Sequence, residues 1–282
     1  MQSATIPRAL TIAGSDSSAG AGIQADLKTF AALGVYGLSV LTAITAQNTL
    51  GVRAAEDVTP ALVEAQIEAV LEDIGTDAAK TGMLSSPTII EVVASQVRKW
   101  NLRLVVDPVM VAKSGDSLLR PEAIAVLRTQ LLPLAEVVTP NLPEAEALTG
   151  QRIESLDDMR AAASAIFDLG ARHVVVKGGH RGQTQSQQAQ SNAPIDIYFD
   201  GEHFIELRAE RIQTIHTHGT GCTFSAAIAA LLARSMSVEE AVMGAKHYIT
   251  GAISHAPGLG HGHGPIGHFW QWEQKSNGEP SS

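Results

Sequence analysis

Short apolar runs alternate with longer segments of helical periodicity along most of the chain. The apolar runs predict buried strands at residues 9–13, 38–46, 78–82, 104–107, 136–139 and 173–177. The longer segments predict helices at residues 23–33, 60–72, 87–100, 121–131 and 156–169. Because strands and helices take turns in this way, we expect an α/β fold in which helices cover both faces of a central, mostly parallel sheet.

The last third of the chain departs from this alternation. Residues 195–199 and 203–207 form two alternating runs around Asp200-Gly201, which is a signal for a β-hairpin. Two further helices are predicted, one that follows the turn at residues 216–225 and one at residues 238–255.

No internal repeat or linker interrupts the pattern, so we predict a single domain over residues 1–282. We expect flexible tails at residues 1–8 and 274–282. Residues 182–191 are rich in Gln and Ser and predict a flexible surface loop without evident chemistry.

The composition is that of an ordinary globular protein, with 45% hydrophobic and 17% charged residues. The net charge of −9 argues against nucleic acid or an anionic membrane surface as the main partner. A single cysteine forbids an intrachain disulfide and suits a reducing compartment. The first nine residues are polar, and the apolar run at residues 226–233 is too short for a bilayer, so we expect a soluble, cytoplasmic protein.

Side chains that can bind or react follow several of the predicted strands. They occur in Gly14-Ser15-Asp16, Gln47-Asn48, Asp107-Pro108, Pro140-Asn141 and Gly178-Gly179-His180. Ligands of open parallel sheets bind outside the carboxyl ends of the strands. We therefore expect the functional site at that edge of the sheet.

The turn Gly219-Thr220-Gly221 leads into an apolar helix and is followed by Cys222, the only cysteine. The first N–H groups of a helix lack intrahelical partners, and the helix dipole adds positive charge there, so the turn predicts a phosphate or oxyanion site. The same position would favour the thiolate form of Cys222. The alternative is a plain glycine turn with Cys222 as a small core residue.

Asn141 and Glu144 follow a predicted strand and fit a helix cap, with Asn141 at the N-cap and Glu144 at the third helical position. Glu144 would also lie at the strand ends, where a carboxylate can hold the water shell of Mg²⁺. The two roles are compatible. Lys177 closes a Val-Val-Val strand beside two glycines, where it is either an ordinary strand-end lysine or a group that reaches a nucleotide phosphate.

The segment Gly20-Ala21-Gly22-Ile23-Gln24-Ala25 matches a dinucleotide fingerprint, but residues 14–19 separate it from the preceding strand. The carboxylate expected about 20 residues further on is also absent, so we reject a nicotinamide site. We interpret the segment as a loop that reaches a small substrate. Asp26, one turn into the next helix, then belongs either to that site or to the solvated helix surface.

Other known motifs are absent. The chain has neither a phosphate loop ending in Gly-Lys-Ser/Thr nor the signature set of protein kinases. His261, His263 and His268 lie among glycines without a cysteine nearby, and we interpret them as part of a glycine-rich turn, not as a zinc site.

A set of motifs occurs in order and at natural spacing between about residues 9 and 269. They are residues 13–29 (AGSDSSAGAGIQADLKT), 45–49 (TAQNT), 80–84 (KTGML), 107–115 (DPVMVAKSG), 139–145 (TPNLPEA), 176–180 (VKGGH), 218–223 (HGTGCT) and 260–265 (GHGHGP). Single motifs of this kind are weak, but the ordered set closely resembles the hydroxymethylpyrimidine/phosphomethylpyrimidine kinases of thiamine biosynthesis.

The resemblance implies a ribokinase-like fold, with three α/β/α layers, no separate lid domain, and commonly a homodimer. It implies phosphorylation of 4-amino-5-hydroxymethyl-2-methylpyrimidine and then of its monophosphate, with ATP and Mg²⁺ as cofactors. By match to the family motifs, the pyrimidine pocket would be lined by Ala21, Asp26, Gln47, Met83, Val109 and Cys222.

The resemblance also assigns the phosphate side of the site. Asn141 and Lys177 would serve the nucleotide, Glu144 and Asp107 the magnesium ion, and the anion hole would comprise Gly219, Thr220 and Gly221. Cys222 would accept the hydroxyl proton, at the position where most ribokinase-like sugar kinases have aspartate. Phosphoryl transfer needs mainly positioning and charge stabilisation, which a helix N-terminus, a lysine and magnesium can supply.

Three alternatives remain open. A pyridoxal or pyridoxine kinase of the same superfamily would use the same chemistry on a ring of similar size. A cysteine hydrolase would pair Cys222 with His216 or His218 as its base. A non-catalytic vitamin-binding protein would bind the pyrimidine without forming ADP.

Overall fold

The computed structural model describes residues 6–110, 121–179 and 194–272. Within them the strands are β1 (Arg8–Ala13), β2 (Tyr36–Leu41), β3 (Ala43–Asn48), β4 (Gly51–Asp57), β5 (Ala78–Thr81), β6 (Leu104–Val106), β7 (Ala135–Val138), β8 (Val174–Val176), β9 (Ile195–Phe199) and β10 (Phe204–Arg208). Eight of them form one sheet in the order β10-β9-β8-β7-β6-β5-β1-β2. The strands from β2 to β8 in this sheet are parallel, whereas β9 and β10 continue it as an antiparallel hairpin.

Helices cover both faces of the sheet. They are α1 (Gly22–Ala32), α2 (Pro60–Asp73), α3 (Pro87–Trp100), α4 (Pro121–Val126), α5 (Leu142–Thr149), α6 (Leu156–Phe167), α7 (Thr220–Ala233) and α8 (Val238–Ser254). Apolar residues of α1, α7 and α8 form the core on one face, and those of α2 to α6 form the core on the other. The expected three-layer α/β/α fold with a mostly parallel sheet is therefore confirmed.

The strand β6 shows why these short apolar runs form central strands. Leu104 and Val106 belong to the core under α2 to α6, whereas Val105 belongs to the core under α1, α7 and α8. Side chains of a strand alternate between faces, so a strand covered by helices on both sides must be apolar throughout. This is the composition from which the strand was predicted.

The prediction of one strand at residues 38–46 is wrong. The chain bends at Thr42, so β2 stays in the main sheet while β3 leaves it and pairs with β4 in a separate two-stranded antiparallel sheet. β4 was not predicted, because most of its side chains are exposed and it has no apolar alternation. The β3–β4 arm carries Gln47 near its tip.

The helix predicted at residues 121–131 is regular only as far as Val126. It continues as a π-helical turn over Leu127–Leu131 and a short 3-10 turn over Leu132–Leu134. The hairpin at β9 and β10 and the helices α1, α2, α3, α6 and α8 lie where they were predicted, within one or two residues at each end.

Several predictions lie wholly or partly outside the described residues. These are the loop at residues 182–191, the tail at residues 274–282, most of the tail at residues 1–8, and the ends of two motifs at residues 111–115 and 180. Within the described residues, none of the helices combines the length and apolar character that a membrane span requires.

Candidate active site

The carboxyl ends of β1, β5, β6, β7 and β8 open toward the N-terminus of α7. The segments that follow these strands begin at Gly14, Gly82, Asp107, Thr139 and Lys177. The sequence-predicted site residues therefore converge on one edge of the sheet, as expected for an open parallel sheet.

The N-terminus of α7 depends on its glycines. Gly219 is the N-cap and has a φ of 82°, in the region that favours glycine. A Cβ atom at this position would overlap the carbonyl oxygen of Gly20. The side chain of Thr220 donates to the carbonyl oxygen of Thr217 at 2.7 Å and closes the turn. The backbone of the Gly219-Thr220-Gly221 turn therefore lies directly against the loop that precedes α1.

Lys177 and Asp107 form an ion pair beside the first turn of α7. Lys177 Nζ lies 3.1 Å from Asp107 Oδ1, and a Cβ atom on Gly221 would lie 3.3 Å from the same Nζ. Burial acts to lower the pKa of Lys177, but the carboxylates of Asp107 and Glu144 raise it. A charged ammonium group thus stands at the first turn of α7.

The carboxylate of Asp107 is held from several sides. Its Oδ1 also faces the Thr139 hydroxyl at 3.3 Å, and its Oδ2 faces the Ser225 hydroxyl at 3.3 Å. Ser225 lies on α7, so Asp107 connects the end of β6 to this helix. Oδ1 accepts a hydrogen bond from Lys177, and Oδ2 lies within reach of the Ser225 hydroxyl.

The predicted cap at Asn141 and Glu144 is confirmed. The Asn141 side chain accepts from the Glu144 N–H at 2.9 Å, and Glu144 Oε2 accepts from the Asn141 N–H at 2.8 Å. Asn141 also forms an isolated parallel bridge with Lys177, which places the two beside each other. Burial raises the pKa of Glu144 to about 7, although the charge of Lys177 opposes this effect. Glu144 is therefore both a cap and a buried carboxyl group beside the lysine.

The expectation that the helix N-terminus favours a Cys222 thiolate is wrong for the protein without ligands. Burial raises the pKa of the Cys222 thiol to about 11, because desolvation and the nearby carboxylates of Asp26 and Asp107 outweigh the attraction of Lys80. The thiol is therefore protonated at neutral pH. The environment as a whole, not the helix end alone, sets its protonation.

Asp26 is fully buried, so the alternative of a solvated helix carboxylate is wrong. Its Oδ2 accepts from Lys80 Nζ at 2.8 Å and from the Thr11 hydroxyl at 2.6 Å, whereas its Oδ1 is buried without a hydrogen-bond partner among the described residues. Burial alone would lower the pKa of Lys80, but Asp26, Cys222 and Asp107 raise it, so the lysine is charged.

No role for Lys80 was predicted from the sequence. It lies in β5 after two alanines, and the side chain of a charged residue inside an apolar strand requires a buried partner. That rule was the available signal, but it does not say which carboxylate is the partner.

Gln47, His218 and Asp16 meet where the β3–β4 arm reaches the loop before α1. His218 Nε2 lies 2.7 Å from Asp16 Oδ2 and 3.4 Å from Gln47 Nε2. Asp16 Oδ2 also accepts from the Ala21 N–H at 2.8 Å. The predicted pocket residues Ala21 and Gln47 are thus linked through His218 and Asp16. Neither of these two residues was predicted to line the pocket.

Met83 and Val109 supply apolar surface at the ends of β5 and β6. The Met83 side chain packs so closely on Gly14 that a Cβ atom there would overlap its methyl group. Val109 lines a small cavity together with Thr81 and Asp107.

The hydrolase arrangement with His218 as the base is not formed. His218 Nε2 pairs with Asp16, and the thiol of Cys222 is protonated, so the pair lacks an activated nucleophile. The loop at residues 258–264 is irregular and packs on the arm, with the His263 N–H donating to the Thr49 carbonyl at 3.0 Å. Among the described residues, no group of three or more His, Cys, Asp or Glu side chains is placed to hold a metal ion.

Comparison with known proteins identifies relatives along nearly the whole chain. The family model described as phosphomethylpyrimidine kinase matches residues 16–267. A hydroxymethylpyrimidine/phosphomethylpyrimidine kinase of Rhizobium meliloti is 54% identical over 267 residues, which cover 94% of this chain and 97% of the relative.

Two solved structures extend the similarity to the fold. The ADP complex of a Bacillus subtilis pyridoxal kinase is similar with a TM-score of 0.86 and 43% identity, and the match covers 95% of this chain and 99% of the other. A phosphomethylpyrimidine kinase of Clostridium difficile is similar with a TM-score of 0.76 and 48% identity, covering 87% of this chain and 99% of the other.

Proposed function

This chain belongs to the phosphomethylpyrimidine kinase family, and we propose from that premise that its site transfers the γ-phosphoryl group of ATP to 4-amino-5-hydroxymethyl-2-methylpyrimidine and then to the resulting monophosphate. The observation that carries the proposal is the position of Lys177, whose ammonium group lies against both Asp107 and the glycine turn of α7. This cationic site adjoins the buried Asp26–Lys80 pair through Cys222, whose thiol interacts electrostatically with both residues.

On the phosphate side, the N–H groups at the start of α7 and the ammonium group of Lys177 bind the transferring phosphoryl oxygens. In the first reaction the substrate hydroxyl oxygen forms the new P–O bond as the bond to ADP breaks, and the hydroxyl proton passes to an oxygen of the transferred phosphoryl group. Both elements stabilise the charge on the phosphoryl group while it passes between the two oxygens. Asn141, which is bridged to Lys177, holds the nucleotide beside it.

Cys222 contacts the substrate as a neutral thiol. Because burial raises its pKa to about 11, it is a poor proton acceptor before substrates bind. We therefore attribute most of the rate acceleration to Lys177 and the α7 N-terminus, and assign to Cys222 the wall between the pyrimidine and the phosphate.

The residues near Lys177 fit a magnesium ion held mainly through water. Glu144 uses Oε2 for its cap, and Oδ1 of Asp107 accepts from Lys177. Mg²⁺ in kinases keeps several waters and binds one or two carboxylates together with the substrate phosphates. Glu144 and Asp107 would both hold the magnesium ion through the water molecules that surround it. The ion would neutralise the charge of the phosphates.

On the pyrimidine side, the unpartnered Oδ1 of Asp26 is a buried acceptor that an amino group of the substrate can satisfy. Gln47 adds an amide donor and acceptor, which suits an aminopyrimidine edge. Met83, Val109 and Ala21 supply the apolar and backbone contacts around the ring.

A pyridoxal kinase activity is the second candidate, because solved pyridoxal kinases share this fold at more than 40% identity. An assay that couples ADP formation to NADH oxidation, run with the pyrimidine, its monophosphate and pyridoxal, separates the two. We expect the highest kcat/KM for the two pyrimidines. Turnover with pyridoxal alone would overturn the proposal.

We also propose that the protein is a homodimer, as the family resemblance implies. We further propose that it acts in the cytoplasm, where ATP is available. Sedimentation equilibrium of the purified chain tests the assembly. A mass near 29.6 kDa would indicate a monomer and contradict the dimer.

A further inference from the structure

The Asp16 carboxylate connects the loop before α1 to the turn before α7. It accepts hydrogen bonds from the Ser18 hydroxyl at 2.7 Å, from the Ala21 N–H at 2.8 Å and from His218 at 2.7 Å. Burial acts to raise the pKa of Asp16, but the bonds from His218, Ser18 and Ala21 outweigh it and lower the pKa to about 2. The carboxylate is therefore ionised at neutral pH and can only accept.

This geometry fixes the hydrogen on His218. An ionised carboxylate oxygen at 2.7 Å from Nε2 requires that this nitrogen carries a hydrogen. The side chain of His218 is buried and packs against Gly20, where a Cβ atom would overlap it. His218 therefore directs an N–H group at Asp16 and presents the same edge to Gln47.

Neither end of the Gln47 amide meets a complementary group. Its Nε2 faces His218 Nε2 at 3.4 Å, and its Oε1 faces the Thr45 hydroxyl at 3.5 Å, although that hydroxyl already donates to the Ser15 carbonyl at 2.8 Å. Exchanging the amide oxygen and nitrogen corrects both contacts. The oxygen then lies 3.4 Å from His218 Nε2 and shares with Asp16 the hydrogen on that nitrogen, and the NH₂ group faces the lone pairs of Thr45. Such an exchange is a choice that the hydrogen-bond network must decide.

We propose that His218 is a positioning residue that orients the Gln47 amide with its oxygen toward the histidine and its NH₂ toward Thr45, which sets the donor and acceptor that Gln47 presents to the pyrimidine. This inference rests on the proposed function for its substrate. His218 itself acts through Gln47.

A double-mutant cycle tests this coupling. His218→Phe keeps the ring but removes the N–H group, and we expect it to raise the KM for the pyrimidine by roughly five- to tenfold, with the KM for ATP within about twofold. In a Gln47→Ala background the same change should alter the pyrimidine KM by less than about twofold. An equal rise in both backgrounds would overturn the proposal. His203→Phe is the matched control, since His203 faces Asp200 on the exposed hairpin and should leave both KM values unchanged.

A second measurement, by NMR, uses the parent protein and requires neither enzymatic activity nor a folded variant. In ¹⁵N-labelled parent protein, the Gln47 NH₂ protons should show nuclear Overhauser effects to the Thr45 methyl group, and His218 should show a protonated Nε2. Effects from the NH₂ protons to the His218 ring instead of Thr45 would overturn the orientation. If the parent shows no pyrimidine turnover, the proposed function fails while this spectrum still decides the orientation.

Discussion

The ammonium group of Lys80 in β5 lies 2.8 Å from the Asp26 carboxylate in α1, and both side chains are fully buried. The pair joins α1 to β5, a strand in the interior of the sheet. It also surrounds Cys222 with two opposite charges, and burial keeps the thiol protonated despite Lys80. The protonation of this cysteine on α7 therefore depends on burial and on charges from α1 and β5.

Replacing Lys80 with Met should strongly destabilise the protein. Removal of one partner leaves the Asp26 charge buried without its counterion, which costs about 3–5 kcal/mol. Urea unfolding followed by circular dichroism measures the change. Lys99→Met is the control, because Lys99 forms an exposed pair with Glu68 and should change the midpoint little. Equal effects of the two substitutions would contradict a structural role for the buried pair.

Replacing Gln47 with Ala should weaken use of the pyrimidine and leave ATP binding intact. A buried ring edge that loses its hydrogen bonds to the amide costs roughly 1–3 kcal/mol. The KM for each substrate is measured in the coupled assay. Unchanged kinetic constants for the pyrimidine would remove Gln47 from the pocket.

Replacing Glu144 with Gln should raise the magnesium concentration needed for half-maximal rate and lower turnover. Glutamine preserves the volume and part of the cap, so the fold should persist. Glu240→Gln is the matched control, because Glu240 occupies the same position in the capping box of α8 and has no part in the site. If both variants change only the melting temperature, Glu144 is a cap and nothing more.

The reactivity of Cys222 should follow its raised pKa. Only the thiolate is alkylated, so its fraction rises about tenfold per pH unit until the pH reaches about 11. Alkylation by iodoacetamide should therefore be slow at pH 7 and still accelerate beyond pH 9, where a free cysteine with a pKa of about 8.5 has reached its plateau. A plateau below pH 8 would show a lowered pKa.

Replacing Cys222 with Ala then distinguishes its two roles. Because the thiol is protonated, we expect the single-turnover rate constant at saturating substrates to fall by less than about tenfold. General-base catalysis would instead predict a loss of about 10²–10⁴-fold. A loss of that size would contradict the assignment of Cys222 to the pocket wall.

The sequence predicted the parts of the fold that local pattern determines. Apolar runs identified the central strands, and the Asn141–Glu144 spacing identified a cap that both hydrogen bonds now confirm. It did not predict β4, because that strand is stabilised by pairing with β3 and not by burial of its own side chains.

The site was predictable where residues follow strands and less so where partners come from distant segments. Asp107 and Lys177 each directly follow a strand and meet at the edge of the sheet where the site was expected. The Asp26–Lys80 and Asp16–His218 pairs join positions 54 and 202 residues apart, and no local pattern specifies such partners. The error in the Cys222 protonation has the same origin, since helix position is local whereas desolvation and neighbouring charges come from the assembled fold.

We expect one site to carry out both phosphorylations of the pyrimidine. The most direct test follows purified protein, ATP, Mg²⁺ and hydroxymethylpyrimidine by ³¹P NMR over time. We expect the monophosphate to appear first and the diphosphate after it. Lys177→Met, which removes the charge beside Asp107 and Gly221, should slow both steps together. A parent protein that forms neither product, or a variant that loses only one step, would contradict this expectation.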